Sequence, residues 1–290
     1  MNQVQFTIGC DPEIFVKKNG KPHSAYGLVA GTKDQPLKTP RGAVQVDGMA
    51  LEFNTDPVSK DDFTGFNRNI VHTMGCLKEY VKGFSFNIAP VQEFSSEHLN
   101  EQPVEALALG CDPDFNAYTM EENPKPDGDV LFRTGAGHIH VGWGADIPVD
   151  NKDHFEICAG FVKALDCTVG MYMTYIDREP RRRELYGKAG AFRPKSYGVE
   201  YRTPSNLWIK NKNRRELMYT MINKAINNHI NGRDATEVTG YEQDFIRNVI
   251  NTGSWQMAKD ICEQFFVRGI RWPYHNTLWD KVKEEMNGNS

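Results

Sequence analysis

The sequence predicts an α+β fold built on a mainly antiparallel sheet. Two observations carry the prediction. Strand-like runs and hairpin dipeptides crowd the first half of the chain, and helical periodicity takes over towards its end. The order is neither a regular βαβ alternation nor all-helical, which disfavours a parallel sheet and a helix bundle alike.

The elements follow in order. Residues 3–8 alternate in β-forming types, and residues 14–17 precede Asn19-Gly20, a hairpin signal. Residues 31–42 read as a polar Gly/Pro loop. Two strands, 43–46 and 50–54, flank Asp47-Gly48. Residues 61–81 form the first helix, with Phe63, Phe66, Ile70, Met74, Leu77 and Val81 at helical spacing and Gly83 as its stop. Strands are expected at 84–89, 104–109, 131–133 and 138–143, with a loop at 121–129. A long helix spans 153–176, a basic glycine-containing loop or irregular hairpin spans 180–198, and a short strand spans 199–203. Helices at 214–230, 241–251, 254–267 and 278–286 complete the chain. No linker divides it, so one domain over 1–290 is expected, with the sheet in 1–208 and a helical part in 209–290.

The bulk chemistry narrows the function. The 290 residues are 39% hydrophobic and 25% charged, an ordinary globular mixture. A net charge of -4 gives no general attraction for nucleic acid. No apolar run reaches bilayer length, and the first residues lack the basic and apolar regions of a secretory signal. A cytoplasmic location without membrane or nucleic-acid partners is therefore expected. The six cysteines (Cys10, Cys76, Cys111, Cys158, Cys167 and Cys262) form no CxxC pair and read as reduced, packed thiols.

Three i, i+2 pairs stand out, because residues two apart on a strand share a face. Asp11 and Glu13 would place two carboxylates side by side, which repel unless solvent or a cation separates them. For this pair alone, a solvated Asp-Pro turn is the commoner explanation. Pro12 predicts an edge, a bulge or a strand start here. His138 and His140, among Gly135, Gly137 and Gly142, suit a metal or an anion, or are incidental on a half-exposed strand. Glu200 and Arg202 form either a cross-strand ion pair or a metal ligand beside a phosphate fork. Glu52 is a charge inside an apolar strand, and Asp47 serves at least its turn. The run Arg181, Arg182, Arg183, with Lys188 and Arg193 among glycines, suits a polyphosphate or is a solvated basic loop. Taken together, carboxylates, histidines and arginines on several strands are the parts phosphoryl transfer needs. Walker A and GxGxxG signatures are absent from the sequence.

The segments GCDPEIF, DGMALEFNTDP, GCDPDFNAY, GAGHIHVGW and YGVEYRTPSNLW together resemble the phage-type COOH-NH2 ligase (amidoligase type 2) family, of the glutamine synthetase and glutamate-cysteine ligase superfamily. The resemblance spans residues 9–208. It implies a curved antiparallel sheet of the glutamine synthetase-like catalytic type, holding ATP and Mg2+ (or Mn2+) on its concave face. Carried over residue by residue, it places metal ligands at Asp11, Glu13, Asp47, Glu52, His138 and Glu200. Asp11 departs from the glutamate often found at that position. It assigns catalytic roles to His138, His140, Lys188, Arg193 and Arg202, and nucleotide contacts to Arg183, Lys188, Arg193 and Arg202. Asp112 and Asp114 would flank the acceptor side. The implied reaction is ATP-dependent amide formation between a carboxylate-bearing substrate and an amine-bearing acceptor, through an acyl phosphate, in the host cytoplasm if the protein is phage-encoded. Two other readings stand beside it: a metal-dependent hydrolase, since HxH with carboxylates also builds two-metal sites, and a non-catalytic phage-associated binding protein with the same fold. Trp143, Tyr172, Tyr201 and Trp208 either line the acceptor pocket or, as is commoner for strand aromatics, belong to the core.

Overall fold

The computed structural model describes residues 4–107, 114–125, 130–144, 146–267 and 275–288. Its strands are β1 (Thr7–Lys18), β2 (Lys21–His23), β3 (Leu37–Thr39), β4 (Gly42–Asp47), β5 (Ala50–Thr55), β6 (Val58–Ser59), β7 (Ser85–Asn87), β8 (Val91–Glu93), β9 (Phe115–Asn116), β10 (Phe132–Thr134), β11 (Gly137–Gly142), β12 (Ala191–Lys195) and β13 (Gly198–Tyr201). The helices are α1 (Phe63–Tyr80), α2 (Ser96–Asn100), α3 (Val104–Leu107), α4 (Lys152–Leu165), α5 (Met171–Ile176), α6 (Arg182–Leu185), α7 (Lys212–Ile230), α8 (Ala235–Thr239), α9 (Gln243–Thr252), α10 (Trp255–Val267) and α11 (His275–Gly288). A mixed architecture around a large antiparallel sheet results. Its main path runs β3-β4-β5-β1-β11-β13-β12-β9, and β8 pairs separately with β10.

Strand parity divides the sheet into two faces. Ile8, Cys10, Ile14 and Val16 of β1, Ile139 and Val141 of β11, and Val199 and Tyr201 of β13 are buried in the main core. Helices α1, α4 and α7 cover that side with Phe66, Ile70, Phe161, Val162, Met218 and Ile222. The alternate residues, among them Asp11, Glu13, His138, His140 and Glu200, fall on the opposite face. A smaller cluster of Phe15, Met49, Phe94, Leu99 and Ala106 caps one end of that second face. Tyr172, Tyr201 and Trp208 are completely buried core residues, so the packing reading of these aromatics holds.

Pro12 corrects the expectation of an edge, bulge or strand start: it lies inside a twelve-residue strand. Backbone groups alternate between the two edges of a strand. Glu13 N–H donates to the Ala136 carbonyl at 2.8 Å on the β11 edge, so Pro12 belongs to the opposite edge. There β6 pairs only with Thr7 and Ile8, and β5 pairs with Glu13 and Ile14. In the interval, Cys10 N–H is taken by Thr55 Oγ1 at 3.2 Å. A residue without an N–H fits this gap and leaves no ladder bond unmade.

One further expectation changes, and two are refined. Residues 104–107 are helical rather than extended, because Pro103 suits a first turn and Glu, Ala and Leu are good helix formers; the rest of that expected strand lies outside the described residues. The basic stretch 180–198 contains α6 and β12, and β12 pairs with β13 as a hairpin. The expected 153–176 helix is present, but a π-helical turn at Asp166–Gly170 separates α4 from α5.

Gly137 shows how tightly β11 is seated. A methyl group there would lie 2.5 Å from the Ser205 carbonyl oxygen and 2.6 Å from Trp208 Nε1. Trp208 Nε1 already donates to the Gly137 carbonyl at 3.0 Å. Gly137→Ala is expected to destabilise the protein by about 1–3 kcal/mol, the usual cost of overpacking. Urea denaturation would check this, and a midpoint unchanged from wild type would contradict the packing.

Candidate active site

The sheet registers bring the polar residues into one row. Gln45 and Glu52 are opposite across β4–β5, Glu13 and Glu52 across β1–β5, and Asp11 and His138 across β1–β11. His140 and Glu200 are opposite across β11–β13, as are Arg193 and Glu200 across β12–β13. Directly opposed side chains are near neighbours, so six strands deliver one continuous polar strip. It floors a cleft of about 270 Å³ whose lining includes Asp11, Glu13, Asp47, Glu52, His138, Arg193, Glu200 and Arg202.

Two groups of potential ligands result. One comprises Asp11, His138 and Glu200, the other Glu13, Asp47 and Glu52, with candidate ligand atoms within 4.8 Å of one another in each group. His138 Nδ1 lies 3.4 Å from Asp11 Oδ1 and 3.5 Å from Glu200 Oε1. Burial, reinforced by Arg202, holds the His138 pKa below its ordinary value, which favours a neutral ring with a lone pair to offer. Asp11 Oδ1 is buried and, among the described residues, has no hydrogen-bond partner. Buried polar atoms are normally satisfied, so a cation between these atoms would complete their coordination. Oxygen ligands with one imidazole suit Mg2+ or Mn2+. The donor set therefore fits a divalent metal.

The second group fits for an electrostatic reason. Burial, together with Asp47, pushes Glu13 up to about 7, against a 2.8 Å hydrogen bond from Ala136 N–H to its Oε2. Burial and the charges of Asp11, Asp47 and Glu13 raise Glu52 well above the usual carboxylate range. Three crowded carboxylates cannot all ionise cheaply without added positive charge. Lys33 Nζ, 2.9 Å from Asp47 Oδ2, supplies part of it.

Glu200 anchors the cationic end. It is 1% exposed. Burial alone would raise its pKa, but Arg202, His140, His138 and Lys195 hold it well below the ordinary range. Lys195 Nζ is 2.8 Å and Arg193 Nη1 3.3 Å from Glu200 Oε2, and Arg202 Nη1 is bonded to Oε1. Arg202 Nε also donates to Asp114 Oδ2 at 3.2 Å. Asp112 lies outside the described residues.

His140 stands behind the row. Its Nε2 is 3.1 Å from Asp11 Oδ2, and its Nδ1 is 2.6 Å from Tyr197 Oη. Burial lowers its pKa, yet Asp11 and Glu200 together raise it overall. The contact orients Asp11, and His140 and His138 together hold the Asp11 pKa well below its ordinary value despite burial.

Three of the sequence candidates do not line the cleft: His140, which stands behind the row, Arg183 and Lys188. Arg183 donates to the carbonyls of Ile250, Glu179 and Asp177, locking the chain around it. Lys188 is exposed, beside the cleft-lining Gly187. The cleft also takes in Lys33 and Lys195, and of the run of three arginines it takes Arg182. Lys195 shares the parity of Arg193 on β12, a signal hidden because 180–198 reads as a loop or irregular hairpin with no defined strand. Arg182 is 2% exposed and donates to the Thr203 and Pro204 carbonyls at 2.7 and 2.9 Å. Among the described residues no helix is long and apolar enough to cross a membrane.

Residues 130–263 match a family model described as Phage phiEco32-like COOH.NH2 ligase-type 2. The matched region carries His138, His140, Arg193, Glu200 and Arg202; the strands bearing Asp11, Glu13, Asp47 and Glu52 precede it. The match supports the family resemblance found in the motifs, and the family name describes a ligase joining a carboxyl group to an amine. No curated protein matches the chain.

Proposed function

We propose, proceeding from that family match, that the chain is an ATP- and divalent-metal-dependent carboxylate–amine ligase working through an acyl phosphate on a glutamine synthetase-like sheet. The observation that carries this reading is the row of two carboxylate-rich ligand groups leading into the cluster of Arg193, Lys195 and Arg202 around Glu200. Ion-pair partners of that kind can turn to phosphate oxygens, and an arginine fork matches them geometrically.

In this reading Asp11, His138 and Glu200 hold one metal, and Glu13, Asp47 and Glu52 hold another. Bound divalent metal would draw together the phosphate oxygens of ATP and the substrate carboxylate and offset their mutual repulsion. Arg202, Arg193 and Lys195 stabilise charge on the transferring phosphoryl group, replacing the role expected of Lys188 and Arg183. His140 positions Asp11. The γ-phosphoryl group passes to a carboxylate oxygen of the substrate, releasing ADP. The amine then attacks the acyl carbon, phosphate leaves, and the amine gives up a proton. No nucleophile from the protein is consumed.

Thermal shift with Mg-ATP, metal alone, and ATP with chelator tests the reading. Stabilisation should require metal and nucleotide together. Arg193→Ala should weaken it by a few kcal/mol of binding energy at most, about that of one charge-assisted donor, whereas Lys188→Ala should leave it unchanged. Stabilisation by metal alone would favour a hydrolase, and no response to either would favour a non-catalytic binding protein.

A further inference from the structure

Asp166 lies on the helical side of the sheet, completely buried in the π-helical turn between α4 and α5. The turn interrupts an otherwise continuous helix, a departure often found near functional sites. Its carboxylate accepts from Tyr201 Oη at 2.6 Å and from Tyr118 Oη at 2.8 Å. The Gly190 backbone amide is a third donor. These three donors come from three different segments of the cleft wall. Tyr201 is the residue of β13 between Glu200 and Arg202. Tyr118 follows β9, four residues after Asp114, the partner of Arg202 Nε. Gly190 immediately precedes β12, which carries Arg193 and Lys195.

The surroundings are shaped to this junction. A methyl group on Gly170 would lie 2.7 Å from Ile250 Cδ1, 3.1 Å from Tyr201 Oη and 3.3 Å from Asp166 Oδ1. A methyl group on Gly190 would lie 2.6 Å from the Tyr118 ring. Gln243 Nε2 donates to Tyr118 Oη at 2.9 Å and closes the far side. A buried carboxylate is costly unless its oxygens are satisfied, and here each satisfying donor also pins an element that carries a cleft residue.

We propose that Asp166 is a positioning residue that sets the cationic end of the cleft, holding the Arg202, Asp114 and Arg193 segments in one register through Tyr201, Tyr118 and Gly190. The role of that end in gripping a triphosphate rests on the ligase reading above; the geometric junction does not.

Two measurements separate these layers. Electron paramagnetic resonance of Mn2+ in the presence of ATP reads the affinity for Mn-ATP. Hydrogen exchange at the Arg202 Nε–H, followed by nuclear magnetic resonance, reads the Arg202–Asp114 bond without nucleotide. Asp166→Ala is expected to weaken Mn-ATP binding roughly 10- to 100-fold, the range typical of residues behind metal ligands, and to speed Arg202 exchange. Asp166→Asn, which keeps shape and part of the hydrogen bonding, should recover part of both. A folded Asp166→Ala protein with wild-type affinity and wild-type Arg202 exchange overturns the proposal. If that variant does not fold, Tyr118→Phe decides: faster Arg202 exchange supports the positioning role, and unchanged exchange overturns it. If wild-type protein fails to bind Mn-ATP, the ligase reading falls, and Arg202 exchange alone still decides whether Asp166 positions this end.

Discussion

Glu200→Gln is expected to abolish metal-dependent nucleotide stabilisation and to destabilise the metal-free fold by roughly 3–5 kcal/mol, the cost of breaking a buried ion pair from one side. Glutamine matches the shape of Glu200 but removes its charge and turns one acceptor oxygen into an NH2 donor. That charge faces His138, Arg193, Lys195 and Arg202, and the carboxylate itself is almost entirely enclosed. Without it, three cations crowd a site that water reaches poorly, and the group formed with Asp11 and His138 loses its second carboxylate. Denaturation midpoints and a Mg-ATP thermal shift on the same preparation would measure both effects. A variant with wild-type stability that still responds to Mg-ATP would remove Glu200 from the centre of the site.

The second large effect concerns pH. Burial and Asp47 push Glu13 from its ordinary value of 4.5 up to about 7. Between these values the folded chain retains a proton that the unfolded chain has released. Stability must therefore fall as pH rises through this window, by on the order of 3 kcal/mol for Glu13 alone. Glu52 is displaced in the same direction and adds to the trend. Asp11 and Glu200 are displaced the other way, so their contribution is lost only as the solution becomes strongly acidic. Chelator-treated protein should melt at a lower temperature at pH 8 than at pH 5.5, and Glu13→Gln should flatten the difference. Saturating Mg2+ should flatten it too, because a cation removes the reason for holding the proton. Identical pH profiles for wild type and Glu13→Gln would show that the three carboxylates are not crowded as described.

Much of the site was legible because strand parity is a local property. Asp11 with Glu13, His138 with His140, and Glu200 with Arg202 each announce a shared face from spacing alone, and the registers then set these pairs side by side. Lys195 carried the same signal relative to Arg193, concealed by the glycines and charges that made residues 180–198 look irregular. Lys33 had no periodicity to betray it, and spacing could not single out Arg182 within its run of three arginines; a loop reaching Asp47 and a helical turn pinned to the Thr203 and Pro204 carbonyls put them in the cleft. Pro12 misled for a related reason, since its local penalty vanishes where the neighbouring edge has no ladder bond to lose.

The sequence by itself determined the mixed architecture, the polar face of the central strands and the residue types of the candidate site, because backbone periodicity and side-chain chemistry are written residue by residue. Only the tertiary structure decided which cations reach the cleft. Arg183 and Arg193 are equally charged, yet one is engaged with three backbone carbonyls and the other faces Glu200. The same holds for Asp166, whose tyrosine partners lie 48 and 35 residues away along the chain: hydrogen-bonding partners so distant in sequence are brought together by packing, and local spacing carries no record of them.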